Sequence, residues 1–286
     1  DSANIIHSNG KFYLLVGTST SNRDHFYIVD AKTLYYENSA VVGANLSGLT
    51  ILNEQYGLVT GDGIRRIDLK SLNNVRIKNE RLLCFYNSII YNGKVLSNDT
   101  YKDESKVKYY DVNELIAAKE GEAPAVTELD IIQKQKINFV LAKDGNVYTL
   151  ESADNGCNIV KIKNDFTLEK VFANFQPAKG PYHSSPTIGM VASETENIIY
   201  LVSTDGAIYK YILGDSDSLK APFIAAESGV SITAPLQLNQ QSGELYVTYT
   251  EERKDESKIV VYSKDGKVLH TVDCGESVPS QILFNN

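Results

Sequence analysis

Apolar and polar positions along the chain fall into short runs separated by turn residues. The stretch 197–213, NIIYLVSTDGAIYKYIL, shows the pattern most plainly. Ile199 and Leu201 on one side, and Ile208, Tyr209 and Tyr211 on the other, carry the β-branched and aromatic content that suits a pleated surface. Between them Ser203-Thr204-Asp205-Gly206 reads as a tight turn. Asp-Gly would supply the positive φ angles of a two-residue hairpin loop. The pattern predicts two antiparallel strands.

The same hairpin recurs. Ile5 to Lys11 leads into Phe12–Val16, and Ile89 to Lys94 leads into Val95-Leu96, each through an Asn-Gly turn. The shape returns with other turn residues at 137–150, 188–202 and 235–249. A third strand is expected at 25–30, 64–72, 107–112, 158–162, 207–212 and 258–263. A fourth is expected at 36–42, 73–78, 127–132, 168–172, 221–225 and 267–272. Strand three ends in Asp30-Ala31-Lys32-Thr33-Leu34 in the first repeat and Asp68-Leu69-Lys70-Ser71-Leu72 in the second. Asp, Ser and Thr side chains there bond nearby backbone N–H groups and make the turn into strand four.

Six complete repeats are countable, each near the length of a propeller blade. A four-stranded sheet with two apolar faces cannot bury both alone, whereas sheets stacked radially about an axis cover both and leave short edges. The expectation is an all-β protein, a β-propeller of four-stranded antiparallel blades forming one domain over 1–286. The stretch Gln281–Asn286 resembles an inner strand and leaves six or seven blades open. One segment departs from the strand pattern. Asp111 to Gly121 reads as a short helix between strands three and four of the third repeat, capped by Asp111 or Asn113 and ended by Gly121, a decoration on the outside of the ring.

Composition narrows the functional classes. The formal net charge is −8, and no dense basic patch is visible, which argues against nucleic-acid binding. No apolar run approaches a membrane-spanning helix. Tyr is abundant (18) and Trp absent, which fits strand structure better than an aromatic ligand cage. Cys84, Cys157 and Cys274 are far apart, form no CxxC pair, and are expected to be small buried apolar residues. The chain starts at Asp1, and a removed export signal would explain that start.

Ser185-Pro186-Thr187, followed by Ile199-Tyr200-Leu201-Val202-Ser203-Thr204-Asp205-Gly206-Ala207-Ile208-Tyr209, resembles the repeat of quinoprotein-alcohol-dehydrogenase-like propellers. The hairpins ending in Ile-Val-Asp-Ala-Lys-Thr-Leu and Ile-Asp-Leu-Lys-Ser-Leu resemble the YncE-like propellers. The resemblance implies an exported protein of the periplasm or cell surface, and a small-molecule or protein partner, an outer-membrane transporter among the candidates. Quinone-dependent members carry a Trp-rich repeat and an adjacent-cysteine disulfide beside their cofactor. This chain has neither, so no cofactor is expected.

Propeller ligands commonly sit on the face that gathers the strand 2–3 loops and the inter-blade connections, an analogy of fold. The loops expected there are Thr18–Asp24, Gly61–Gly63, Asn98–Lys106, Glu151–Gly156, Thr204–Gly206 and Glu251–Ser257. The longest connection, NFQPAKGPYHSSP at 174–186, holds three of the seven prolines. Loops of that length are often functional, and Tyr182, His183 and Ser184 make it the first candidate for a binding lip. Arg23 and Arg253, two of six arginines, could each fork onto an anion. Tyr101 and Asp205 complete the candidate ligand-binding set. Asp99, Asp103 and Glu104, or Asp154 with Asn155, carry oxygen ligands but lack EF-hand spacing and read as solvated charge, so no metal is expected. No GxSxG, HExxH or P-loop pattern occurs. The function expected is a non-enzymatic binder acting at the loop face of the channel. The alternatives are a lyase or hydrolase at the channel mouth, with His183 as acid or base, and a structural scaffold.

Overall fold

The computed structural model describes residues 2–17, 23–43, 46, 48–61, 63–78, 88–98, 105–122, 124–133, 139–178, 189–251, 256–279, 282 and 284. The chain divides into two compact units, Asp1–Lys134 and Gln135–Asn286. Each holds three antiparallel sheets.

In the first unit, blade 1 is β1 (Ser2–Ser8), β2 (Lys11–Gly17), β3 (Asp24–Asp30) and β4 (Tyr36–Gly43). Blade 2 is β5 (Gly48–Ile51), β6 (Tyr56–Gly61), β7 (Gly63–Asp68) and β8 (Asn74–Lys78). Blade 3 is β9 (Ile89–Tyr91), β10 (Lys94–Asn98), β11 (Ser105–Asp111) and β12 (Val126–Gln133), with helix α1 (Val112–Ala117) between the last two. In each sheet, strands adjacent in sequence are adjacent in space.

In the second unit, blade 4 is β13 (Val140–Leu141), β14 (Val147–Ala153), β15 (Gly156–Ile162) and β16 (Leu168–Phe175). Blade 5 has β17 (Met190–Ala192), β18 (Ile198–Val202) and β19 (Ile208–Ile212). Its fourth position is held by one bridge, Ile208 to Ile224. In blade 6 the innermost strand is split. Both β20 (Val230–Ile232) and β21 (Gln237–Leu238) pair with β22 (Leu245–Glu251), which is followed by β23 (Ser257–Tyr262) and β24 (Val268–Gly275). The break falls at Pro235, which has no N–H for a ladder. Among the described residues there are six sheets, and of the six or seven blades left open it is six that form.

The Asn-Gly turns behave as read. Asn9 (φ 51°) with Gly10 (φ 70°), and Asn92 (φ 47°) with Gly93 (φ 70°), are left-handed pairs. They close two-residue loops at Ser8–Lys11 and Tyr91–Lys94. The Asp205-Gly206 turn corrects its reading. Only Gly206 is left-handed (φ 83°). Its N–H bonds the Ser203 carbonyl at 2.9 Å, and Ser203 N–H bonds the Ala207 carbonyl at 3.0 Å, a three-residue loop with a bulge. Asp205 stays right-handed because its carboxylate takes the Ala207 N–H at 3.0 Å and the Ser203 hydroxyl.

The Asp corners repeat closely. Asp30 Oδ1 accepts from Lys32 N, Thr33 N and Thr33 Oγ1 at 3.0, 2.7 and 2.7 Å. Asp68 Oδ1 accepts from Lys70 N, Ser71 N and Ser71 Oγ at 3.0, 2.7 and 3.0 Å. The closing leucines, Leu34 and Leu72, both take a positive φ (59° and 60°). Leu72 is buried against blade 1, whereas Leu34 is exposed. The third copy, Asp111, accepts from Asn113 N and Glu114 N at 2.8 and 3.1 Å and so becomes the N-cap of α1.

The core lies between neighbouring sheets within each unit. Phe26, Ile28 and Leu15 of blade 1 meet Val59, Ile67 and Leu69 of blade 2, and equivalent layers join blades 4 to 5 and 5 to 6. Helix α1 is not decoration. Leu115 is fully buried among Leu52, Leu58, Ile64 and Ile77 of blade 2 and Val95 and Tyr110 of blade 3. A leucine so buried contributes roughly 1.5–3 kcal/mol. Arg66 Nη1 of β7 donates to the helix carbonyls of Leu115 (3.4 Å), Ile116 and Ala118 (3.0 Å). The helix ends at Ala117, before the expected stop at Gly121.

Cys157 is buried, as expected, but Cys274 is partly exposed on the outer strand β24, whose other residues are all exposed. Cys84 lies outside the described residues. The ring of Phe284 meets that of Tyr246 on β22 edge-on at 5.0 Å.

Candidate functional site

A strand 2–3 hairpin exposes backbone groups at its tip, and the connection leaving the blade passes the same end. In four blades the described residues tie the two together. In blade 1, Asp24 is buried at the start of β3 and accepts from Leu46 N at 2.5 Å in the outgoing connection. In blade 3, Asn98 Nδ2 at the end of β10 donates to Gln133 Oε1 at 2.8 Å, and both residues are buried. In blade 4, Gln176 Nε2 donates to the Asn155 carbonyl at 2.5 Å. In blade 6, the Ser257 hydroxyl donates to the Ser277 carbonyl. Asp24, Asn98, Gln133 and Ser257 are buried, which is tolerable because each is hydrogen-bonded.

Gln176 does more than its counterparts. Its carbonyl accepts from Thr204 N of the blade 5 hairpin at 2.9 Å, and Ala178 N bonds the Val202 carbonyl at 2.8 Å. A single residue therefore joins two of the loops expected to share a face, Glu151–Gly156 and Thr204–Gly206. The sequence reading missed it. The signal was Asn155-Gly156, a tight turn that brings backbone close. Gly156 has φ 122°, and a Cβ there would lie 2.5 Å from both Phe175 O and Gln176 Nε2.

Of the seven candidate residues, Arg23 and Asp205 are described. Arg23 is exposed just before β3. Asp205 is a turn residue. The Ser203 hydroxyl, then the Ala207 N–H, hold its carboxyl below the ordinary carboxylate range. Tyr101, Tyr182, His183, Ser184 and Arg253 lie outside the described residues, as do Asp99, Asp103 and Glu104. Asp154 and Asn155 form the β14–β15 turn. Among the described residues no three His, Cys, Asp or Glu side chains converge as a metal site.

A pocket of ≈ 190 Å³ opens at the corresponding end of blade 6, lined by Glu251, Glu256, Ser257, Lys258, Thr271 and Asp273. Two of its lining residues, Glu251 and Glu256, bracket Arg253 in sequence. Glu251 N bonds the Glu256 carbonyl at 2.9 Å and fixes the mouth of the hairpin. Lys258 Nζ bonds Glu227 Oε1 at 3.1 Å, which leaves the lining predominantly acidic.

The titrating groups describe a framework. Among the described residues, every carboxylate that departs from its ordinary range departs downward. Thr33 N–H does this for Asp30, Ser71 N–H for Asp68 and Lys94 for Asp111. Lys163 does it for Glu169 and Lys264 for Glu196. Carboxylates held ionised in this way are poor general acids at neutral pH. Burial pushes the Tyr200 hydroxyl up to about 12, and Tyr200 lies in the core.

Comparison with solved structures shows the fold. The β-propeller domain of Myceliophteria thermophila Cps50 (Swd1) is similar with a TM-score of 0.60 at 12% identity, covering 98% of this chain and 91% of that one. A functionally unknown protein from Desulfotomaculum acetoxidans is similar at 0.55 and 11% identity, covering 98% of each chain. Streptogramin B lyase is similar at 0.52 and 14% identity, covering 93% of this chain and 81% of that one. At these identities the likeness carries the fold, a β-propeller, and nothing of activity. It does not single out the YncE-like or quinoprotein-like subfamily. No curated protein matches the chain. A family model described as Domain of unknown function (DUF5074) matches residues 2–285. No helix among the described residues is long and apolar enough to cross a membrane.

Proposed function

We propose that this chain, which belongs to the DUF5074 family, is a non-catalytic binding propeller. It takes a small ligand or a partner protein on the face where the strand 2–3 loops meet the outgoing connections. The observation that carries this reading is Gln176. It fastens the root of the 174–186 connection, the stretch of sequence that carries Tyr182, His183 and Ser184, to two hairpins at once. Recognition by loops on a rigid scaffold is a general arrangement, because the scaffold fixes the loop roots while the tips vary. The downward-held carboxylates support binding over proton transfer. Export to the periplasm or cell surface, with an outer-membrane transporter as a partner, belongs to the same reading, and its support is the sequence resemblance.

A thermal-shift screen of corrinoids, glycans, quinones and metals tests the proposal. A compound at a hundred times its Kd stabilises the folded state by about 2.7 kcal/mol. That corresponds to a rise of roughly 5–10 °C for a chain of this size. Tyr182→Ala with His183→Ala, or Arg253→Ala, should abolish the rise. A rise that survives all three substitutions would place binding elsewhere and overturn the site.

A further inference from the structure

An outermost strand presents a row of backbone N–H and C=O groups to solvent, and natural sheets blunt such edges with charge. Most outer strands here follow that rule, and their charges are already engaged. On β12, Asp130 pairs with Lys106 at 3.4 Å and Glu128 with Lys108 at 3.6 Å. On β16, Glu169 pairs with Lys163 at 2.9 Å and Lys170 with Glu151 at 3.6 Å. On β4, Glu37 pairs with Lys11 at 2.5 Å.

β24 is different. It is the edge strand of its sheet, eight residues long, exposed from Val268 through Asp273, and its register against β23 shifts by one residue at Leu269 and at Cys274. Its centre, Val268-Leu269-His270-Thr271-Val272, carries no acidic or basic pair, and Val268 and Val272 are 59% and 52% exposed. Lys267 and Asp273 bracket it, three residues to either side of His270. Both are exposed, and among the described residues neither is in an ion pair. Asp273 accepts only a local bond from Gly275 N, at 2.9 Å.

We propose that β24 is a self-complementary edge that pairs antiparallel with β24 of a second copy of this chain, about a two-fold axis at His270. In that register Lys267 stands opposite Asp273 of the second copy, Val268 opposite Val272, and Leu269 opposite Thr271. The two-fold repeats each pair, so two ion pairs close the ends of an apolar ladder. Such an interface is isologous, the usual form for homodimers. The open backbone edge supplies the ladder bonds, and the bracketing charges set the register. A strand pair of this length lies at the small end of specific interfaces, so the dimer is weak and concentration-dependent.

Sedimentation equilibrium on the chain, from about 5 to about 500 μM, reads this directly, because weak interfaces populate the dimer in that range. Lys267→Glu places like charges at both ends and should weaken association roughly ten- to thirtyfold. Asp273→Lys should do the same. The double swap Lys267→Glu with Asp273→Lys should restore association to within about threefold of the original, since both pairs reform. Both substituted positions are exposed, so the melting temperatures of the three variants should match the original and confirm folding. A chain that stays monomeric over the whole range would overturn the proposal. So would single variants that associate as well as the original, or a double swap as weak as the singles.

Discussion

Replacing Arg66 by Ala removes the contact that seats helix α1 on its neighbouring sheet. The last carbonyls of a helix have no partners within it. Here Arg66 serves those of Leu115, Ile116 and Ala118 from one guanidinium nitrogen. The same guanidinium lies 5.2 Å from the Tyr56 ring. A hydrogen bond to a charged donor is worth about 1.5–3 kcal/mol net. The ring contact adds about 0.5–1 kcal/mol. One nitrogen shared by three acceptors counts as little more than one full bond, which gives a cost near 3 kcal/mol for Arg66→Ala. Arg66→Lys keeps a charge but loses the planar fork, and should cost about half as much. Leu115→Ala should cost about 2–5 kcal/mol through its cavity. Urea denaturation followed by circular dichroism measures all three. If Arg66 and Leu115 both act by holding α1 in place, the double variant should fall short of additivity by about 1 kcal/mol or more. A loss below about 0.5 kcal/mol for Arg66→Ala, the scale of an ordinary surface change, would refute the clamp. Full additivity with Leu115→Ala would refute it as well.

Gly156→Ala should destabilise the fold by about 2 kcal/mol or more, because its Cβ would meet the Phe175 carbonyl in a left-handed backbone. Gly10→Ala, with φ 70° and nothing within 4 Å, should cost only about 1 kcal/mol, so the difference between their calorimetric melts isolates the clash. Acid should weaken the turn at Asp205. Its carboxyl titrates lower folded than unfolded, so its contribution is complete above the ordinary carboxylate pKa and is lost as pH falls through the lowered value. Asp205→Asn should therefore cost about 1 kcal/mol at neutral pH, and urea melts near pH 2 should show the gap closed.

The strands were legible because their signals are local. Val, Ile and Tyr runs bounded by Asn-Gly or by Asp-x-x-Ser/Thr-Leu mark the strand, and the six third strands start within about two residues of their reading, although the second, read to Leu72, stops at Asp68 where the Asp corner begins. The first hairpin of blade 2 was not read. Its turn has no glycine. Asn53 Oδ1 instead accepts from Gln55 N and Tyr56 N, both at 2.8 Å. The helix was read, but its burial was not, since nothing in 111–121 announces that Arg66, far away in sequence, caps it. The same limit applies to the site. Tyr182 and His183 stood out by density of polar groups, while Gln176 acts through a backbone meeting that only folding creates. Asp205 stood out as a charged loop residue, yet its Oδ1 is committed to the turn.

Because four of the blades fasten their own exits, with Asp24, Asn98, Gln176 and Ser257 serving in turn, a hairpin tip there can be exchanged without loosening the sheets beside it. Affinity for a new molecule could be acquired one vane at a time. Each trial would alter a handful of surface residues while the apolar layers beneath carried the load unchanged.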